Sequence, residues 1–223
     1  GQDEKTAIAG SLFIVGSIAL AGGLQFLRAG FIQWRSVLIF GLPGMLGTYL
    51  GAFLAAYVSG VMQLALFALV MLVASYFMLR PPDLQHADAT PRATWKIASD
   101  GLIVGIITGL VGVGGGFLIV PALVLLGGLG MHQAVATSLI IIALKSFSGF
   151  YKYLDVLEKQ SLELDWHTLL VVTALGIAGS FAGSRLARRL PQDNLKRWFG
   201  YFLIAMGIYI LARSGPAALG FTL

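Results

Sequence analysis

The chain has 223 residues, 57% of them hydrophobic and only 11% charged, with a formal net charge of +5 and no cysteine. Soluble domains of this size carry about 25% charged residues, so the composition is that of a polytopic membrane protein. The basic residues lie between apolar spans, which argues against a nucleic-acid partner, and the lack of cysteine excludes disulfides, thiolate metal sites and cysteine nucleophiles. His86, His132 and His167 show no metal-ligand spacing, and no cofactor is expected.

In chain order, apolar spans are predicted over residues 6–27, 34–57, 62–79, 102–128, 134–154, 166–187 and 195–211. Trp34 and Trp166 each open a span and suit the aromatic belt at a membrane interface. Residues 80–100 form the longest polar stretch, and Pro81, Pro82 and Pro91 make it a linker. The two sides of this linker are alike. Residues 34–79 align without a gap to 166–211, matching Gly44 with Gly176, Gly47 with Gly179, Gly51 with Gly183 and Phe67 with Phe199. Residues 6–12 (TAIAGSL) match 133–139 (QAVATSL) in the same order.

The expected architecture is therefore an all-α polytopic membrane protein built from a duplicated helical repeat. The first transmembrane repeat covers 1–80, a polar linker 81–100, the second repeat 101–213 and a tail 214–223. A glycine-rich segment precedes QAVATSL in the second copy, whereas only GQDEK precedes TAIAGSL in the first. By that comparison about thirty residues of the first repeat are expected ahead of this sequence, which reads as lacking its first span.

The glycine-rich segment, residues 102–128, carries no charge. As one straight helix it would extend roughly 40 Å, against about 30 Å of hydrocarbon. Gly114, Gly115 and Gly116 each cost about 1 kcal/mol relative to alanine in a helix. Two half-helices, 102–111 and 117–126, joined by a glycine turn are therefore predicted. Irregular backbone at membrane depth survives only where it is buried in protein or lines a wet cavity. The second half-helix would aim its unpaired N–H groups and positive dipole end at the turn, and glycines let a ligand approach them closely. Gly112, Gly114, Gly115, Gly116 and Phe117 are thus candidate ligands of a small oxyanion; the same glycines also suit close helix packing. Pro121 sits where its missing N–H is tolerated.

Topology follows from the basic residues. If segment 102–128 crosses once, lysine and arginine divide eight to six between the sides, leaving out Lys145. If it returns to its starting side they divide ten to four, the richer side holding Arg28, Arg35, Arg80, Arg92, Lys96, Arg185, Arg188, Arg189, Lys196 and Arg197. The positive-inside rule prefers the second arrangement, which makes that side cytoplasmic and the halves an inverted repeat.

Lys145 lies in the middle of span 134–154, which contains no carboxylate. A cation there costs at least about 2.5 kcal/mol on insertion scales, so it should face the protein interior or a cavity, where it could attract an anion. Pairing with carbonyls or snorkelling is the structural alternative. Ser138 stands seven residues earlier on the same helical face, and Thr137 beside it; their hydroxyls could contact an oxyanion or bond back to carbonyls. Ser11 repeats Ser138 in the first copy, but Ile18 stands where Lys145 would, so the halves are not chemically equivalent. Gly47 with Gly51, and Gly179 with Gly183, read as packing faces. Arg185, Arg188 and Arg189 read as a topology signal, and Asp100 and Asp165 as helix caps.

The stretch GLIVGIITGLVGVGGGFLIVPALVLLGGLGMHQAVATSL, residues 101–139, resembles the TauE/SafE family of sulfite exporter-like permeases. The resemblance rests on G-x-G-G-G-F-x-x-x-P from Gly112 to Pro121, on A-x-x-T-S-L from Ala134 to Leu139, and on the tryptophan-plus-glycine helices that follow. It implies a multi-pass permease of a bacterial inner membrane that moves small anions such as sulfite or sulfonates, with two four-span halves. The expected partners are this small anionic substrate and the lipid bilayer. Three rivals remain at this stage: a passive anion channel, a membrane subunit without transport, and an intramembrane hydrolase using Ser138 with Lys145 as base.

Overall fold

The structure, a computed structural model, describes residues 4–27, 29–55, 57–80, 93–111, 116–159 and 164–218. These residues form α1 (Glu4–Leu27), α2 (Trp34–Ala55), α3 (Gly60–Leu79), α4 (Thr94–Val111), α5 (Gly116–Leu125), α6 (Met131–Lys159), α7 (Trp166–Arg189) and α8 (Gln192–Ala218). Seven of these helices are long and apolar enough to cross a membrane. The exception, α5, has 10 residues and reaches about 15 Å, half of a bilayer core. The protein is an all-α polytopic membrane protein. Its exposed apolar side chains, among them Leu46, Leu175 and Trp198, are what a helix presents to lipid.

The helices pack as two units, residues 1–33 with 135–189 and residues 34–134 with 190–223. The first unit holds α1, α7 and nearly all of α6. Side chains of α6 fill glycine notches along α1: Ser146 and Phe147 face Gly16, Leu139 faces Gly22, Ile140 faces Gly23, and Leu12 of α1 faces Gly149. Rising numbers on α1 meet falling numbers on α6, so the two run antiparallel. Helix α7 runs parallel to α1, with Leu169 against Gly10, Ile18 against Gly176 and Ser180 against Gly22. Phe13 ties the start of this bundle, its ring 5.7 Å from Trp166 and 5.3 Å from Phe150.

The second unit holds α2, α3, α4, α5 and α8. Its tightest joint is a glycine ladder between α2 and α4. A Cβ on Gly47 would collide with the Leu102 carbonyl, one on Gly51 with that of Ile106, and one on Gly105 with that of Gly44. Gly101 and Gly109 meet the backbone of Phe40 and Thr48 in the same way. Without side chains between them the two backbones touch, the small-residue packing by which membrane helices gain van der Waals contact. Helix α8 runs antiparallel to α3, with Leu79 seated on Gly200 and Leu72 on Gly207.

The sequence duplication pairs α1 with α6 and α3 with α8. Each pair runs antiparallel within its own unit, which is the arrangement an inverted repeat produces. The glycine match between α2 and α7 does not extend to packing. Gly47 and Gly51 are covered by α4, whereas among the described residues nothing lies within 4 Å of a Cβ built on Gly179 or Gly183. The packing face expected on α7 is thus open.

Several helix ends differ from expectation. Helix α4 starts at Thr94, not near residue 102, so Asp100 lies inside the helix and does not cap it. The polar turns Lys96–Asp100 stay helical because Gly101 continues the glycine ladder and so needs α4 already formed. Asp165 does cap α7, its Oδ1 accepting the Thr168 N–H at 3.1 Å and its Oδ2 accepting the Thr168 hydroxyl. Helix α6 runs past the predicted span at both ends, from Met131 to Lys159.

Candidate functional site

Helix α4 stops at Val111 and α5 starts at Gly116, so two separate helices flank the glycine segment. Gly112, Gly114 and Gly115 lie outside the described residues. Gly116 and Phe117 form the first positions of α5, whose opening N–H groups have no carbonyl four residues earlier within the helix. The body of α5 is apolar on every side. Leu118, Ile119, Val120, Pro121, Ala122 and Leu123 are all buried, as a half-helix held in protein at membrane depth must be. Its far end closes by a sharp turn: Gly128 adopts φ +66°, and the Leu129 N–H returns to the Leu123 carbonyl at 3.1 Å. The body that follows the start of α5 is therefore a short, largely buried rod.

An apolar cavity of about 380 Å³ lies beside this rod, walled by α3, α4 and α5 through Val73, Phe77, Ile107, Leu118, Pro121 and Leu125 among others. No side chain in its wall carries a donor or a charge, so it offers an anion nothing.

The polar candidates lie on α6. Ala134, Ser138 and Ile141 are 0%, 1% and 2% exposed and form one stripe of the helix; Lys145, one turn further on, is half-buried. Thr137 is fully buried, and its Oγ1 accepts the backbone N–H of Gln33 at 3.1 Å, anchoring the segment after α1. The Ser138 hydroxyl donates to the Val135 carbonyl at 2.8 Å. Both hydroxyls thus have protein partners, Ser138 through the local back-bonding open to serine in a helix and Thr137 through a distant backbone N–H. Ser138 and Lys145, seven residues apart, are separated by about 10 Å along the axis, beyond the reach of a nucleophile and its base.

Of the candidates, the structure brings Thr137, Ser138 and Lys145 onto one helix of the first unit, and sets Gly116 and Phe117 at a helix start in the second. Sequence reading missed Thr173, whose buried hydroxyl has no hydrogen-bond partner among the described residues. Its signal was a lone threonine in an otherwise aliphatic run. No cluster of three or more histidine or carboxylate side chains able to hold a metal occurs among the described residues.

A family model described as "Sulfite exporter TauE/SafE" matches residues 3–210. Among curated relatives, a "Probable membrane transporter protein" of Xylella fastidiosa is 33% identical over 215 residues, covering 93% of this chain and 80% of the relative. A similarly named protein of Bacillus subtilis is 26% identical over 225 residues, covering 93% and 81%. One from Methanocaldococcus jannaschii is 22% identical over 212 residues, covering 93% and 79%. No solved structure matches.

Proposed function

The chain belongs to the sulfite exporter TauE/SafE family and is a multi-pass membrane transporter, and from that premise we propose that it carries small oxyanions, sulfite, sulfonates or related organic anions, across a bacterial inner membrane. The observation that carries the anion reading is Lys145. It is a half-buried cation in the middle of a span that holds no carboxylate to neutralise it. Keeping such a group at membrane depth costs at least about 2.5 kcal/mol, and a passing anion offsets that cost.

The second determinant is the glycine turn with the start of α5. Gly112, Gly114, Gly115, Gly116 and Phe117 supply backbone N–H groups and the positive end of a helix dipole, a chemistry that selects oxyanions. Thr137 and Ser138 hold the start of α6, so that Lys145 is presented from a rigid helix. Motion between inverted repeats supplies alternating access.

Uptake of labelled sulfite and of a short sulfonate into proteoliposomes tests this reading, comparing the native chain with Lys145→Ala and Gly115→Leu. Saturable uptake with counterflow, reduced at least tenfold in both variants, is expected. Uptake that neither saturates nor shows counterflow would instead identify a passive channel. Equal uptake in all three proteins would remove both determinants.

A further inference from the structure

A second cavity of about 380 Å³ opens at the C-terminal ends of α1 and α7, inside the first unit, and is lined by Gln25, Ala29, Phe181, Arg185 and Arg188. Its charge is one-sided. Helix α1 carries no carboxylate after Glu4 at its opposite end, α7 carries none at all, and the antiparallel α6 brings the uncharged sequence QAVATSL to this end. The other acidic residues in the described part of this bundle, Asp155 and Glu158 near the end of α6 and Asp165 capping α7, stand at its other end. Two guanidinium groups therefore share one recess, and the described carboxylates of α1, α6 and α7 all lie at the other end of this bundle.

One of these groups is oriented by the fold. The Arg188 Nε donates to the Ser184 carbonyl at 3.3 Å, and its guanidinium carbon lies 5.8 Å from the centre of the Phe26 ring. A bond through Nε and stacking on an aromatic ring hold the planar fork while its terminal N–H groups remain to address a ligand. Gln25 is turned back to the Ala21 carbonyl and acts as wall. Phe181, half-exposed, provides an apolar flank.

We propose that this cavity binds a phosphate-type oxyanion through Arg185 and Arg188. The sources of that chemistry are the headgroup of an anionic phospholipid, which basic recesses at the ends of membrane helices recognise, and a free oxyanion from solution. The site shares no residue with the candidate transport determinants, and the proposal does not depend on the transport substrate.

The test is a charge-preserving change. In Arg185→Lys with Arg188→Lys, the positive charge that sets topology stays, and only the fork that grips two oxygens at once is lost. Native mass spectrometry of protein released from nanodiscs compares retention of phosphatidylglycerol with phosphatidylcholine, and thermal melting in neutral detergent is titrated with inorganic phosphate. Selective phosphatidylglycerol retention that falls about tenfold in the double lysine variant, with Lys196→Gln as an unaffected charge control, assigns a lipid headgroup. Saturable protection by inorganic phosphate that the same variant loses, without lipid selectivity, assigns a free oxyanion. Retention and protection equal in native and double lysine proteins would mean that undirected positive charge is all this end contains, and would overturn the proposal. So would the absence of both selectivity and protection in the native protein.

Discussion

At the scale of single residues, the polar groups of α6 and α7 divide between those that hold the fold and those that the fold leaves available. Thr137 belongs to the first kind. Replacing it by valine removes the acceptor of the Gln33 N–H and leaves that donor unpaired, at a cost of about 1–3 kcal/mol, expected as a lower melting temperature in detergent. Lys145 belongs to the second, and Lys145→Ala should leave the melting temperature unchanged or raise it while uptake falls. Asp165 makes a pH-dependent contribution. Hydrogen bonds from the Thr168 hydroxyl, and then from its backbone N–H, hold this carboxyl below the ordinary aspartate value of 3.8. A lowered carboxyl stabilises the fold above its unfolded value, and loses that effect as the pH falls through its folded one. The melting-temperature difference between the native chain and Asp165→Ala should be constant from neutral pH down to about 5 and vanish in stronger acid. A difference that persists unchanged at low pH would show the cap to be independent of charge.

At the scale of helices, equal glycine spacing has unequal consequences. The Gly47-x-x-x-Gly51 face of α2 lies in backbone contact with α4, so Gly47→Ala forces the helices apart and should destabilise the protein by about 1–3 kcal/mol or more. Its repeat counterpart, Gly179→Ala, meets nothing within 4 Å and should stabilise α7 by up to about 1 kcal/mol through helix propensity alone. Parallel melting curves of the two variants check both signs at once. The break between α4 and α5 was legible because three glycines in a row oppose helix regardless of surroundings. The start of α4 was not. Lys96, Ser99 and Asp100 look like linker, yet the ladder from Gly101 onward recruits them into a helix. Asp165 was legible as a cap because the Thr168 that bonds to it lies only three residues away, whereas Asp100 carries no such local signature.

At the scale of the whole molecule, the duplicated sequence folds with its equivalent helices antiparallel, as α1 with α6 and α3 with α8 both show. The ends of α1 and α6 must then face opposite sides of the membrane. The chain has no cysteine, so single cysteines report without background. Ala29→Cys, past the end of α1, and Glu158→Cys, near the end of α6, are both exposed positions. An impermeant maleimide applied to intact cells should label Glu158→Cys and spare Ala29→Cys, and the pattern should reverse in inside-out vesicles. Labelling of both from one side would contradict the inverted arrangement.

Composition and pattern alone determined that this is an all-helical membrane protein, where most of its spans lie, that it is duplicated, and that α4 and α5 are separate helices. Those properties are local: hydrophobic length and glycine content act on each segment whatever it later touches. The tertiary structure alone decided that Gly47 and Gly51 are covered while Gly179 and Gly183 are open. It also decided that the Thr137 hydroxyl is occupied by the Gln33 N–H, and that Arg185 and Arg188 meet in one recess. These depend on which distant helix arrives beside a given face, and one helix's sequence carries no record of its neighbour.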